Sequence, residues 1–191
     1  KTLPQLMETY YNSIGRNGNL LLNFPVMPNG LIHPNDEKAA LEFAVAVKEA
    51  FDVNLAENAK AEASNIRGNS RNYGADKAID DDKKTYWATD DSLTSASLII
   101  DFGRPTRFNR FMAQEYIRLG QRVKTFSVEA FVNGKGEEIA KATTIGYKRI
   151  LRFPADPILP RVTTACPEAV QGDFRVNIYQ VFRTFLPGRY G

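Results

Sequence analysis

The sequence predicts a mostly β fold, an antiparallel sandwich or barrel preceded by a single strand–helix unit of another kind. Three observations predict it. Beyond about Asn54, short apolar segments alternate with turn signals, the spacing of a sandwich or barrel. In one of them Phe126, Val128, Ala130 and Val132 share a face while Ser127 and Glu129 take the other, which is mostly the two-residue period of a half-buried strand. Before Asn54 the pattern differs: Leu20, Leu21 and Leu22 form a wholly apolar run, and a stretch of helical period follows.

Taken in order, the leucine run comes first. Without alternation it predicts a strand buried on both faces, as in parallel sheets covered by helices. The rest of the sequence offers no parallel neighbours. Pro25, Pro28, Asn29 and Gly30 then punctuate the chain. Pro34-Asn35-Asp36-Glu37 opens a helix, with proline tolerated in the first turn and acids favoured there. Leu41, Ala44, Val45 and Phe51 are expected on its buried face. One βα unit cannot build a core, because such units bury their strands only in company. Residues 1–53 are therefore read as an incomplete unit and 54–191 as a separate β domain. Its expected strands are Ser97–Phe102, Phe108–Gln114, Thr125–Val132, Glu138–Thr143, Arg149–Phe153, Arg161–Cys166 and Phe174–Phe182, with Asn133-Gly134-Lys135-Gly136 as a hairpin turn.

Composition narrows the chemistry. At 191 residues, 43% hydrophobic and 25% charged, the chain has ordinary globular composition. No apolar run approaches the roughly 20 residues of a membrane span. Lys1 in place of methionine suggests a processed or truncated N-terminus. A net charge of +3, with its cations dispersed, argues against nucleic acid. Cys166 is the single cysteine, so no internal disulfide forms and a thiol-based zinc site is not expected. His33 is the single histidine, which removes His-paired catalysis and multi-His metal sites. What remains is carboxylates, hydroxyls, amides, guanidinium groups and aromatic rings.

The β region resembles the discoidin, or coagulation factor 5/8 type C, domain. The resembling residues are Asn58-Ala59-Lys60-Ala61-Glu62-Ala63-Ser64, then Ala75 through Trp87 with its D-x-x-x-T-x-W pattern, then Leu98-Ile99-Ile100-Asp101-Phe102-Gly103. That resemblance implies an antiparallel β-sandwich of jelly-roll type. A narrower one follows: Gln114 through Val123 and Thr143 through Arg149 are similar to the discoidin domain attached to glycoside hydrolase family 29 α-L-fucosidases. The opening G-R-N-G-N-L-L-L-N, and G-L-I-H-P-N-D after it, resemble the last strand of that family's catalytic barrel and the approach to its final helix. The implied parent is an exo-acting, retaining fucosidase, secreted or periplasmic, acting on α-1,3- or α-1,4-linked fucose of a glycan. In that family the nucleophile and the acid/base lie earlier in the barrel. The resemblance therefore implies no catalytic residue in this chain, and the upstream barrel segment as its partner. The alternative is a stand-alone carbohydrate-binding module without catalysis.

Several residues are candidates. Asn23 and Phe24 end the leucine run, where a barrel strand would edge a sugar pocket; Asn23 equally suits the following turn. Glu115, Tyr116, Arg118, Gln121 and Arg122 offer paired hydrogen bonds and a stacking face, for substrate binding or for docking against the catalytic domain. Asp80, Asp81 and Asp82 offer hard oxygens for a structural calcium, or form a solvated acidic turn neutralised by Lys83 and Lys84; the resemblance implies a metal at this loop, on Asp80 and Asp82 with backbone oxygens of Lys77 and Thr85, although Ile178 stands where many such modules have a late acidic ligand. No cofactor is expected for catalysis. Trp87 is expected in the core, and Arg104, Arg107 and Arg110 on a wet strand face.

Overall fold

The computed structural model describes residues 1–132, 135–153, 158–169 and 173–179. The described residues hold nine strands, β1 Lys60–Ala63, β2 Trp87–Ala88, β3 Ala96–Arg107, β4 Arg110–Glu115, β5 Val123–Val132, β6 Lys135–Thr143, β7 Arg149–Arg152, β8 Ile158–Ala169 and β9 Asp173–Tyr179. They form a five-stranded sheet in the order β1-β3-β8-β5-β6 and a four-stranded sheet in the order β2-β9-β4-β7. Every strand pairing is antiparallel. The seven expected strands are all present; β1 and β2, short and poor in apolar pattern, were not anticipated. Asn133 and Gly134 of the expected turn and the last three residues of the expected Phe174–Phe182 strand lie outside the described residues.

Alternation builds the core between the sheets. Leu98 and Ile100 of β3 and Phe126, Val128 and Ala130 of β5 point inward with Phe108, Phe111 and Trp87. Each large side chain buried this way contributes about 1.5–3 kcal/mol of transfer free energy. Trp87 sits in this core as expected, fully buried, its indole N–H donating to the Asn65 carbonyl at 2.8 Å.

Two helices lie outside the sandwich, α1 Leu3–Asn12 and α2 Pro34–Ala50. The sequence reading had no α1. Its first turn is closed by Gln5, whose side chain accepts from the Thr2 N–H at 2.9 Å. α2 begins where expected: His33 Nδ1 accepts from the Asn35 N–H at 3.1 Å, and Asp36 and Glu37 occupy the first turn. The helices pack on the outer face of the four-stranded sheet. Met7, Tyr10, Tyr11 and Ala46 meet Met112 of β4 and Ile150 of β7 there, a second core separate from the first. Met112 and Ile150 are register partners, so β4 is covered on both faces where it reads Phe-Met-Ala.

Three expectations are corrected. The run Leu20–Leu22 forms no strand: no strand partner lies beside it among the described residues, and Leu21 is 85% exposed. The buried face of α2 is also different. Phe51 packs into the second core as expected, but Phe43, Ala46, Val47 and Ala50 are the helix residues that turn to the protein, while Ala44 is exposed and Leu41 and Val45 remain 62% and 56% exposed. α2 carries two apolar stripes, and the sheet takes the one on which small residues permit close approach. Arg110 is not on a wet face. It packs over the Tyr11 ring at 5.1 Å, and its Nε donates to the Tyr11 hydroxyl at 2.9 Å.

Candidate functional site

Three short segments meet where the helical layer joins the sandwich. The first is Gly15-Arg16-Asn17, between α1 and the leucine run. The Ile150 N–H donates to the Gly15 carbonyl at 2.8 Å, Arg16 bridges Arg149, and Asn17 Oδ1 accepts from the Tyr147 N–H at 2.7 Å. Asn17 adopts a left-handed φ of 67° to make this reach, a region that asparagine tolerates better than most residues. Opposite it, Gly146 has φ +64°, and a Cβ there would lie 2.5 Å from the Asn17 amide. Both conformation and space therefore call for glycine.

The second segment is the loop from Ile145 to Arg149, and Glu115 ties it to the third, Arg122-Val123 at the start of β5. The Glu115 carboxylate is buried, at 5% exposure. Its Oε1 accepts from the backbone N–H groups of Arg122 at 2.5 Å and Val123 at 2.9 Å, and its Oε2 from that of Gly146 at 2.5 Å. The Glu115 N–H returns a bond to the Gly146 carbonyl at 2.9 Å. A buried carboxylate is tolerable only with such partners, and this one joins the Gly146 loop to the start of β5. The result is one continuous linkage, from Gly15–Asn17 through Gly146–Ile150 to Glu115 and Val123.

Beside the linkage lies a cleft of about 680 Å³, walled by the end of α2, the Asp80–Lys83 turn, the end of β4 with the following loop, and Tyr147-Lys148. Tyr116 borders it, stacked on Tyr86 with centroids 4.5 Å apart and planes at 24°. Arg118 and Lys148 also line it. Burial, reinforced by nearby Lys83, pushes the Lys148 ammonium below its ordinary value. Burial does the same to Arg149, with Arg16 adding repulsion, and the Arg149 Nε has no hydrogen-bond partner among the described residues.

The predicted site residues thus divide. Glu115 is occupied by the backbone, and the Arg122 guanidinium donates to the Leu119 carbonyl at 3.1 and 2.8 Å. Tyr116 and Arg118 reach the cleft, Gln121 is exposed, and Asn23 and Phe24 stand exposed in the loop after the leucine run, away from this grouping in sequence. Sequence reasoning missed Asn17, Gly146 and Lys148. Their signal was present, since Asn17 and Gly146 belong to the two glycine-containing motifs, but nothing in either motif alone says that they touch.

The Asp80 turn brings Lys77, Asp80, Asp82 and Thr85 together. The Thr85 hydroxyl lies 2.9 and 2.7 Å from the two Asp80 oxygens and 3.1 Å from the Asp82 carbonyl. The Asp82 carboxylate instead accepts from the Lys84 N–H at 2.9 Å, so its main-chain oxygen is the one that faces the turn. Lys77 Nζ is 3.6 Å from Asp80. In kind these are hard oxygen donors suited to calcium, with a single carboxylate among them. No group of three or more His, Cys, Asp or Glu side chains that could together hold a metal ion occurs among the described residues.

Against known proteins, the F5/8 type C domain model matches residues 58–158. Alpha-L-fucosidase 1 of Arabidopsis thaliana is 36% identical over 156 residues, covering 80% of this chain and 31% of its own. The structure of a GH29 fucosidase of Ruminococcus gnavus in complex with fucose superposes with a TM-score of 0.87 at 31% identity, over 96% of this chain and 37% of that one. The chain therefore spans about a third of the length of these relatives. A chitosan-binding module from Paenibacillus, 18% identical with a TM-score of 0.58, covers 66% of this chain and shares the fold.

Proposed function

The chain belongs to the F5/8 type C domain family, and from that premise we propose that it is the C-terminal portion of an exo-acting α-L-fucosidase whose sandwich braces the catalytic barrel. The observation that carries the reading is the linkage of Asn17 and Gly15 to Gly146, Ile150 and Glu115. It grips the chain just before the apolar run that a barrel would pair. The same stretch exposes Leu21, Val26, Leu31, Leu41 and Val45, an apolar excess that neighbouring barrel strands and helices would cover.

Polarity of the run favours bracing over edging the sugar pocket. Barrel active sites lie at the C-terminal ends of strands. The linkage holds Asn17, ahead of the run, whereas Asn23 and Phe24 stand at its far end. Six residues of extended chain span about 20 Å. Glu115, Tyr116, Arg118, Gln121 and Arg122 therefore serve the joint, and Asn23 and Phe24 face the mouth. Catalysis rests with two carboxyl groups of the parent about 5 Å apart, one attacking the anomeric carbon and one protonating the leaving oxygen, with retention. The fucose linkage is α-1,3 or α-1,4.

The test is hydrolysis of 4-nitrophenyl α-L-fucoside by the 191-residue chain and by a polypeptide extended upstream through a barrel. The extended protein is expected to release nitrophenol and the short chain none; turnover by the short chain overturns the proposal. A structural calcium on the Asp80 turn belongs to the same reading, supported by the convergence of Asp80, Thr85 and the Asp82 carbonyl. Calcium at ten times its Kd would add about 1.4 kcal/mol. Melting in calcium against EDTA should differ by a few degrees in the native chain and not in Asp80→Ala; equal melting of the native chain removes calcium from the account.

A further inference from the structure

The linkage brings two arginines into opposition. Arg16 and Arg149 are bridge partners on antiparallel segments, flanked by the bond from the Ile150 N–H to the Gly15 carbonyl at 2.8 Å. Residues paired in this way send their side chains to the same face, about 5 Å apart at Cβ, where like charges are unfavourable. Arg149 is half-buried, and its Nε is enclosed without a hydrogen-bond partner among the described residues. Burial and Arg16 together hold its guanidinium below the ordinary arginine pKa. Neither arginine makes an ion pair among the described residues.

Acids near the pair do not balance it. Glu8, which Arg16 also influences, is held at two points by Arg152, at 2.7 and 3.0 Å. Glu115 lies two positions along β4 from Ala113, the register partner of Arg149. With both acids counted at full charge, Arg16, Arg149 and Arg152 still leave one positive charge unmatched. Water satisfies a lone N–H donor but offsets no charge. A carboxylate does both, and it fits a guanidinium fork at two points. Arg16 stands just before Asn17, at the entry to the apolar run, so a polypeptide that pairs with the run passes beside it. We propose that Arg16 and Arg149 form a clamp for an aspartate or glutamate side chain of the upstream barrel. The clamp rests on the barrel reading and gives that joint a specific ionic contact.

The test is zero-length cross-linking of the polypeptide extended upstream through a barrel and carrying Arg16→Lys, which keeps the charge and supplies an amine. Carbodiimide activation should couple the amine at position 16 to an acid upstream of Lys1, identified by peptide mass. Coupling only to Glu8 or another acid of residues 1–191, or no coupling at all, overturns the proposal. Mass reads the cross-link without turnover, so the clamp and the barrel reading fail separately: fucoside hydrolysis without the cross-link removes only the clamp. Melting of Arg149→Met, which keeps the apolar stem, is the second readout. In the 191-residue chain the variant should melt no lower than the native protein, because one of two opposed charges is gone. In the extended polypeptide it should melt about 3 °C or more below the native, because the acid is left unpaired. A lower melting temperature in the short chain would place the partner of Arg149 within it, and an unchanged one in the extended polypeptide would mean that no acid is there; either result overturns the proposal.

Discussion

The two faces of β4 belong to different cores, and the difference between those cores explains the molecule. Phe111 points into the sandwich, where β-strands close the core from both sides. Its neighbour Met112 points out, into a layer made by α1 and α2. The first core is enclosed between the two sheets. The second is closed toward the sheet by Met112 and Ile150, and the chain that forms it also exposes Leu21, Val26, Leu31, Leu41 and Val45. The N-terminal region is thus not a loose appendage: it packs one face on the sandwich and keeps apolar side chains exposed elsewhere.

Adjacent truncations separate the cores most sharply. Phe111→Ala should lower global stability by about 3–5 kcal/mol, with the whole sandwich unfolding together. Met112→Ala should cost about 2–3 kcal/mol, with the loss concentrated in α1 and α2. Amide exchange measures both: protection should fall across β3 to β5 in the first variant and mainly in the helices in the second. Equal effects everywhere would mean one cooperative core and erase the distinction.

Glu115→Ala probes the linkage that spans both regions. It strands the N–H groups of Arg122, Val123 and Gly146. Unsatisfied buried groups cost about 1–3 kcal/mol each, and water entering the loops would recover part of that. A net loss of about 3 kcal/mol is expected, or some 6–12 °C in melting temperature for a chain of this size. The Tyr147 and Ile150 amides should exchange faster, because their partners Asn17 and Gly15 are positioned through Gly146. A variant that melts within 2 °C of the native chain would leave Glu115 as an ordinary surface acid.

How much of this was legible follows from range. Period-2 alternation located the strands, because each strand's burial pattern is written in its own residues. Pro34 and the acids after it located α2 for the same reason. α1 left a local trace in Thr2 and Gln5 and in Leu6, Met7, Tyr10 and Tyr11 at helical spacing. Met112 left a fainter one: an unbroken Phe-Met-Ala in an antiparallel strand signals cover on both faces. The role of Glu115 had no such trace. A loop carboxylate reads as a solvent or ligand group until folding brings Gly146, 31 residues away, onto it. Likewise, the choice of the Phe43–Ala46 stripe of α2 over the Leu41–Val45 stripe depends on what lies opposite, which no helical period records.

The smallest expected effect tests how the helical layer is pinned at its rim. Arg152 stacks on Tyr11 at 4.5 Å and makes a two-point ion pair with Glu8, at 2.7 and 3.0 Å. The Arg152 bond is the largest influence on Glu8 and holds its carboxyl below the ordinary value near 4.5. A lowered folded pKa contributes stability that is present above the unfolded value and lost as pH falls through the folded one. Both side chains are about half exposed, 41% and 51%, so solvent screening limits the pair to about 0.5 kcal/mol. Glu8→Gln should therefore melt about 1–2 °C below the native chain at pH 7. The gap should narrow below pH 4 and shrink in 0.5 M salt, roughly a Debye length of 4 Å. A gap that widens on acidification would show that Glu8 acts through packing rather than charge, and the rim would then be held by the Arg152–Tyr11 stack alone.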